Sequence, residues 1–204
     1  MSLSFFSIQA ADGRKYPRAD SFGPLPEMPF FEGMESFLKS MEQYWQVNPE
    51  APGMEVAAVG TEWSDLVLCC NSPPSFFVSR RLIDSLEGEG IPIYRKTEMP
   101  IAKIKSKRLK ELEPPTYYVA EAIPGLAVDW AAMGIKSDLD GRPLLTDVQR
   151  MNLPSVIFDE SSWNGLDLFS LFNRGSTVSL YCTERVKQLA SNQKWTNVKF
   201  VPIG

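Results

Sequence analysis

Short apolar runs separated by turn-forming residues dominate the chain and predict many short strands. Such runs, rich in β-branched and aromatic residues and bounded by Gly, Pro, Asn or Ser, are typical of strands. Strands are predicted over 4–10, 54–60, 63–70, 76–78, 91–95, 117–123, 125–129, 155–159, 178–182 and 197–203. The shorter apolar segment 167–171 precedes the last two strands.

Helical periodicity is confined to a few short segments. Residues 33–46, 80–87 and 184–190 place apolar side chains at spacings of three and four, which predicts amphipathic helices. Ser79 and Thr183 precede the second and third of these segments, where a hydroxyl can cap a helix. Many short strands with a few short helices predict an α+β fold with mixed sheets.

Two strand–helix–strand segments align with one another. Phe77-Val78-Ser79-Arg80-Arg81-Leu82 matches Tyr181-Cys182-Thr183-Glu184-Arg185-Val186. We interpret them as a degenerate internal repeat, with chance recurrence of a common unit as the alternative. If they are a repeat, both hydroxyls should accept a backbone N–H at the start of their helices.

The chain of 204 residues is long enough for one domain with a substantial core. We therefore expect a single α+β domain spanning residues 1–204. Pro114-Pro115 is the strongest break in the sequence, and a division into two lobes near 113–116 is the alternative.

Charge and hydropathy narrow the class of partner. The formal net charge of −4 disfavours a general nucleic-acid binder, which needs a basic surface to neutralise phosphates. No segment has the roughly 18 apolar residues of a membrane span. The first eight residues lack the basic segment and apolar length of a signal peptide, so a cytoplasmic location is expected.

The chain contains no histidine, and this removes most common catalytic and metal sites. Ser-His-Asp and Cys-His systems and imidazole metal ligands cannot form. Cys69, Cys70 and Cys182 show no Cys-x-x-Cys spacing and are expected to be buried thiols in a reducing compartment. We therefore predict no catalytic residues, no metal and no cofactor, and a carboxylate- or lysine-based hydrolase or transferase remains the enzymatic alternative.

Two charged segments each allow a plain and a functional interpretation. Asp138-Leu139-Asp140-Gly141 resembles the start of a calcium loop, but Arg142 and Pro143 occupy the next places where that loop needs an oxygen ligand and a glycine. A turn is therefore the better interpretation.

The basic run is Lys103, Lys105, Lys107, Arg108 and Lys110. A solvated strand edge or helix face is expected there, with contact to a phosphate or an acidic partner as the alternative.

Three segments resemble a known family. They are Glu62-Trp63-Ser64-Asp65-Leu66-Val67-Leu68, Phe77 to Leu86, and the C-terminal part from Leu166-Asp167-Leu168-Phe169 to Val198-Lys199-Phe200-Val201-Pro202. They are similar to immunity proteins of bacterial polymorphic toxin systems, including the swarming-inhibition type. Those proteins have a comparable Trp-x-Asp-(Ile/Leu/Val)-Leu strand, an Asp-(Ile/Leu)-Phe segment, a Ser/Thr-capped helix and a final Phe-x-Pro strand. The doubled Cys-x-x-Cys-Gly pairs of some relatives do not occur here, so no metal site is carried over.

The resemblance implies a cytoplasmic protein that binds and neutralises a cognate toxin without catalysis. An adaptor without a toxin partner, or the small enzyme described above, is the alternative. Trp63 and Phe200 lie in the resembling segments and are expected to be largely buried. The partner-binding residues are predicted from acidic turns and a loop tryptophan, since aromatic anchors with charged rims are typical of interfaces. They are Asp138, Asp140, Asp159, Glu160 and Trp163.

Overall fold

Two curled sheets and two short helices make up the described part of the protein. The computed structural model describes residues 4–11, 15–21, 53–69, 76–139, 143–144, 157–172 and 180–203. Both sheets mix parallel and antiparallel pairs, which confirms the α+β fold class. The helix predicted over 33–46 lies outside the described residues. No helix in these ranges is long and apolar enough to cross a membrane.

The strands are numbered in chain order. One sheet has the order β6-β8-β5-β4-β2-β3-β7, and its strands are β2 (Arg18–Ser21), β3 (Met54–Val56), β4 (Leu66–Cys69), β5 (Phe76–Ser79), β6 (Arg95–Met99), β7 (Ile101–Ile104) and β8 (Tyr117–Glu121). The other has the order β13-β1-β12-β11-β9-β10, and its strands are β1 (Phe5–Ala10), β9 (Pro124–Val128), β10 (Phe158–Asp159), β11 (Leu168–Phe172), β12 (Tyr181–Thr183) and β13 (Val198–Ile203). Helices α1 (Arg80–Gly88) and α2 (Glu184–Asn192) follow β5 and β12.

The two sheets repeat one topology. Read from β6 and from β13, six successive strands correspond, and each pair of neighbours runs in the same relative direction. Even the parallel pair recurs, as β2 with β4 and as β9 with β11. The register agrees as well, since Leu66 faces Val78 where Leu168 faces Cys182. The internal repeat predicted from two short segments therefore extends through both sheets.

The repeats exchange their first strands. In chain order β1 begins the first repeat, yet it lies between β12 and β13 in the second repeat's sheet. Conversely, β8 begins the second repeat and lies between β5 and β6. Pro114-Pro115 precedes β8 and so separates the repeats along the chain. Each sheet nevertheless needs a central strand from the other repeat.

The seventh strand closes the curl of the larger sheet. Only Pro100 separates β6 at one edge from β7 at the other, so the chain turns directly from one edge to the other. The carbonyl oxygen of Pro100 accepts a hydrogen bond from the Met54 N–H at 2.8 Å. A Cβ on Gly53 would lie 2.0 Å from that oxygen, so only glycine fits at this close approach.

The main core lies where the helices meet both sheets. Leu82, Ile83 and Leu86 of α1 join Val186 and Leu189 of α2 in one buried cluster, as their helical spacing predicts. Strands of both sheets contribute to the same cluster, through residues such as Phe6, Ile8, Leu66, Val78, Tyr118, Leu168 and Cys182. The repeats therefore share a core as well as strands.

Some sequence predictions need correction. The strand predicted over 91–95 begins only at Arg95, because the Ile91 N–H bonds back to the carbonyl of Leu86 and completes the end of α1. Trp63 lies before β4 rather than within it, and it is partly buried against the core of the larger sheet, so the predicted burial holds in part. Phe200 is likewise partly buried against the main core, on a strand that lies at the edge of its sheet among the described strands.

The strand exchange predicts how fragments of the chain behave. Fragments 1–113 and 114–204 should each fail to form a stable monomer, because each lacks the central strand of its own sheet. Mixed in equal amounts, they should associate and recover the circular dichroism spectrum of the intact chain. A cooperative, monomeric unfolding transition of either fragment alone would contradict the exchange.

Candidate partner-binding surface

A buried carboxylate joins the start of β4 to the start of α1. Asp65 immediately precedes β4, and its side chain is 3% exposed. Its Oδ1 accepts hydrogen bonds from the Ser79 hydroxyl at 2.7 Å and from Nε of Arg81 at 3.0 Å. Nη2 of Arg81 contacts Oδ2, which makes the arginine contact bidentate. We call these three residues the first clasp.

The second repeat completes the first clasp. Thr196 donates its backbone N–H at 2.7 Å and its hydroxyl at 3.0 Å to Oδ2 of Asp65. Burial alone would raise the pKa of Asp65, but the hydrogen bonds from Arg81, Ser79 and Thr196 outweigh burial, and the net pKa is lowered from 3.8. Asp65 is therefore ionised at neutral pH and bonded on both oxygens.

An equivalent second clasp lies in the other repeat. Asp167 precedes β11 and accepts hydrogen bonds from the Thr183 hydroxyl at 2.6 Å and from Nη1 of Arg185 at 2.8 Å. Ser79 also caps its helix as predicted, since it accepts the Leu82 N–H at 3.2 Å. Thr183 makes no such bond, so the predicted cap is wrong there. Its hydroxyl donates to Asp167 instead.

Each clasp arginine also binds the end of the other repeat's helix. Arg81 donates to the carbonyl oxygens of Gln193 at 3.0 Å and Lys194 at 3.2 Å, just after α2. Arg185 donates to the carbonyl oxygen of Glu89 at 2.9 Å, just after α1. A cation at a helix C-terminus satisfies carbonyl groups that have no partner within the helix. The two clasps therefore tie the repeats together reciprocally.

Apart from Ser79 in place of Thr183, the clasps differ at the position of Thr196. Counted from the helix starts, Pro92 stands in the first repeat where Thr196 stands in the second. Proline has neither a backbone N–H nor a hydroxyl to donate to Asp167. The Asp167 side chain is accordingly 24% exposed, against 3% for Asp65.

Trp163 packs beside the second clasp. Its ring meets Phe5 edge to face at 5.6 Å, and its Nε1 donates to the Leu166 carbonyl oxygen at 3.1 Å. Trp63 packs against Tyr117 with a tilted ring at 6.2 Å, and Tyr117 occupies the place of Phe5 in the other repeat. Trp163 is half-buried against Phe5 and its neighbours, so much of its role is structural.

Two of the other predicted residues, Asp159 and Glu160, lie at the edge strand β10 and directly after it. Asp159 ends β10 and accepts hydrogen bonds from Ser161, through its N–H at 3.1 Å and its hydroxyl at 2.5 Å. Glu160 is exposed in the 3₁₀ turn that follows. Asp138 is exposed in a turn closed by a bridge between Ser137 and Pro143. Asp140 lies outside the described residues.

One apolar cluster links these acidic segments. Trp130 and Ile135, from the turn that leads to Asp138, pack with Phe158 of β10. The Asp129 N–H donates to the carbonyl oxygen of Ile157 at 2.8 Å. The structure therefore brings Asp159, Glu160 and Trp163 together around β10 and attaches the turn of Asp138 to the same end.

Exposed apolar side chains lie among these acids. Leu139 is fully exposed, Leu144 is 59% exposed and Ile157 is 45% exposed. Sequence reasoning missed them, although Leu139 stands between two aspartates and Ile157 lies two residues before Asp159. We define the acidic–apolar surface by residues Asp138, Leu139, Leu144, Ile157, Asp159 and Glu160. Exposed apolar groups with a charged rim are typical of protein-binding surfaces.

Two buried groups that could support chemistry, the Cys182 thiol and the Asp65 carboxylate, are part of the packing and hydrogen bonding of the fold. Burial raises the pKa of the Cys182 thiol to about 12, so it is protonated and a poor nucleophile at neutral pH. The carboxylate of Asp65 is committed to the first clasp. Among the described residues, no group of three or more His, Cys, Asp or Glu side chains is placed to hold a metal ion.

The first clasp predicts a strong, pH-dependent contribution to stability. Asp65→Asn should lower the free energy of unfolding at neutral pH by roughly 3 kcal/mol, because several charge-assisted hydrogen bonds weaken. Because folding lowers the pKa of Asp65, its contribution is present above 3.8 and disappears as the pH falls through the folded-state pKa. Denaturant unfolding across acidic pH should therefore show the two proteins converging. Asp167→Asn is the matched control and should cost less, because this carboxylate is partly exposed. An equal cost at both positions would contradict the difference between the clasps.

The packing of Trp163 predicts a cost in stability without any partner. Trp163→Ala should lower the free energy of unfolding by about 2 kcal/mol, less than for a fully buried tryptophan. Thermal and denaturant unfolding of the isolated chain would measure this. Unchanged stability would mean that the ring serves only a binding role.

Comparison of the chain with protein-family models gives no match, and comparison with curated proteins also gives none. The similarity to immunity proteins therefore depends on the quoted residues alone.

Proposed function

We propose that the protein is an immunity protein that binds a cognate toxin domain in the cytoplasm and performs no catalysis. The observation that supports this proposal most is the acidic–apolar surface at one end of the smaller sheet. Apolar side chains provide area to bury, and the surrounding acids provide orientation and faster encounter.

The part of the scaffold around β10 is well packed, which favours binding. Phe158 of β10 lies between two apolar clusters, one around Phe169 and Tyr181 and one around Trp130. The Asp159 carboxylate is held by Ser161, and the Ser162 hydroxyl donates to the Asp159 carbonyl oxygen at 2.6 Å. A surface ordered before contact loses less conformational entropy on binding.

The charge of the surface indicates a basic partner. The whole chain carries a formal net charge of −4, and the three acids of the surface outnumber the exposed Lys136 beside them, which leaves a local negative field. A toxin that acts on nucleic acid has a basic cleft, because it must contact phosphates. An acidic surface that covers such a cleft would exclude the nucleic acid, because its acids would pair with the basic side chains that otherwise bind phosphates.

The perturbed groups of the chain favour binding over catalysis. A catalytic acid or base must be free to exchange a proton with a substrate. Asp65 has a lowered pKa, but both of its oxygens are engaged by donors from the protein. Its environment therefore serves the junction between the repeats.

Charge reversal on the surface should slow association with the toxin. Asp159→Lys combined with Glu160→Lys should reduce the association rate constant for a toxin-like protein encoded directly upstream by about tenfold at low salt. Surface plasmon resonance at two ionic strengths would measure this, and added salt should narrow the difference.

The matched control is Glu111→Lys with Glu113→Lys, which changes the net charge equally at two exposed positions beside the larger sheet. The control should bind nearly as the wild type does. Equal effects of both pairs would show only an effect of net charge, and no binding by the wild type would refute the proposed function.

A further inference from the structure

In the larger sheet, a strand of the same chain covers the outer edge of β3. The outer edge of β3 pairs with β7 in parallel, with Met54 facing Ile101 and Val56 facing Ile104. The basic run starts in this strand, and Nζ of Lys105 lies 2.9 Å from a carboxylate oxygen of Glu55. The covering strand thus places Lys103 between apolar residues and opposite Glu55, and Lys105, which follows it, forms an ion pair with the same acid.

Among the described strands, the smaller sheet has the same edge without that cover. By strand order and direction, β10 is the counterpart of β3, since each pairs antiparallel with the second strand of its repeat. Within the described ranges, no strand pairs with the outer edge of β10. The acidic–apolar surface surrounds this edge, with Ile157 immediately before β10 and Asp159 within it.

We propose that β10 receives a strand from the partner protein, parallel to β10, in the place that β7 occupies beside β3. This inference rests on the proposed function and specifies how the partner binds. Strand addition takes its affinity from main-chain hydrogen bonds and its specificity from alternate side chains. The matching strand alternates apolar residues with lysine or arginine, because Asp159 and Glu160 flank the receiving edge.

The opposite edge of the smaller sheet is less suited to this role. Pro202 of β13 has no N–H to donate, and Lys199 is exposed on the same strand. Prolines and lysines on edge strands disfavour pairing with another chain. Lys199 would also repel a basic strand, and Pro202 would deprive it of a hydrogen bond. The pairing is therefore assigned to β10.

The sequence of β7 supplies a probe for this edge. A capped synthetic peptide with the sequence of residues 100–107, Pro-Ile-Ala-Lys-Ile-Lys-Ser-Lys, should bind the intact protein. In nitrogen-15 NMR titrations, the amide resonances of Ile157, Phe158 and Asp159 should shift, and those of β13 should not. A peptide with every lysine replaced by glutamate should not bind. Shifts confined to other residues, or none at all, would overturn the proposal.

Backbone methylation separates strand addition from simple charge attraction. Two further peptides are methylated on alternate amide nitrogens, one set for each edge of the added strand. One should bind like the parent peptide and the other should lose binding, because only one edge faces β10. Equal binding by both peptides would overturn strand addition.

Asp159→Asn tests the charge while keeping a side chain that can still accept the Ser161 N–H. It should raise the dissociation constant of the peptide about two- to fivefold. Glu113→Gln, exposed beside the larger sheet, is the matched control and should leave it unchanged. An unchanged dissociation constant for Asp159→Asn would show that the acid does not pair with the peptide.

A concentration-dependent dimer that competes with the peptide would assign the edge to a second copy of the chain and overturn the proposal.

The full toxin-like protein separates failure of the inference from failure of the function. If it binds the protein but does not compete with the peptide, strand addition at β10 is wrong and the proposed function stands. If it does not bind while the peptide gives the expected shifts, the proposed function is wrong and the edge site stands.

Discussion

The buried carboxylate of Asp65 is the interaction on which the junction of the two repeats depends. A buried charge is costly unless donors surround it, and here the donors come from β5, from α1 and from the segment after α2. Satisfying this one group therefore fixes three separate parts of the chain. Arg81 extends the constraint, because it also binds the carbonyls after α2. The exchange of β1 and β8 adds a second connection between the repeats, because each sheet contains a strand of the other repeat.

Duplication and divergence explain why the repeats are similar in topology and unequal in detail. Both keep an aspartate before the fourth strand, a hydroxyl residue before the helix and an arginine at its second position. The second clasp has no counterpart of Thr196, because Pro92 stands there, and Asp167 stays partly exposed. The larger sheet gained β7, whereas no such strand lies beside β10 among the described residues. The repeat that is closed at its edge also contains the fully buried clasp.

Local signals predicted local structure well, and they could not predict which strands pair. Ser79 as a cap and the apolar face of Leu82, Ile83 and Leu86 follow from spacing along one helix. The aligned segments around Ser79 and Thr183 also indicated the repeat. The exchange of strands depends on long-range pairing, since Phe5 of β1 pairs with Thr183 and Ile203, and periodicity contains no information about such pairs. Thr183 shows the same limit, since the distant Asp167 took the hydroxyl that local reasoning gave to the helix.

The candidate surface was predictable in its charges and not in its geometry. Asp159, Glu160 and Trp163 are neighbours in sequence, so their proximity was foreseeable, but the packing of Trp163 on Phe5 requires the exchanged strand. The importance of β10 becomes visible only when its position is compared with that of β3. At β3, Glu55 faces Lys103 of a largely apolar strand supplied by the chain itself. At β10, acids flank the corresponding edge, and in the described ranges the chain supplies no such strand. A duplicated fold that completes one edge internally thereby presents, at the other, a surface suited to the same kind of strand from another protein.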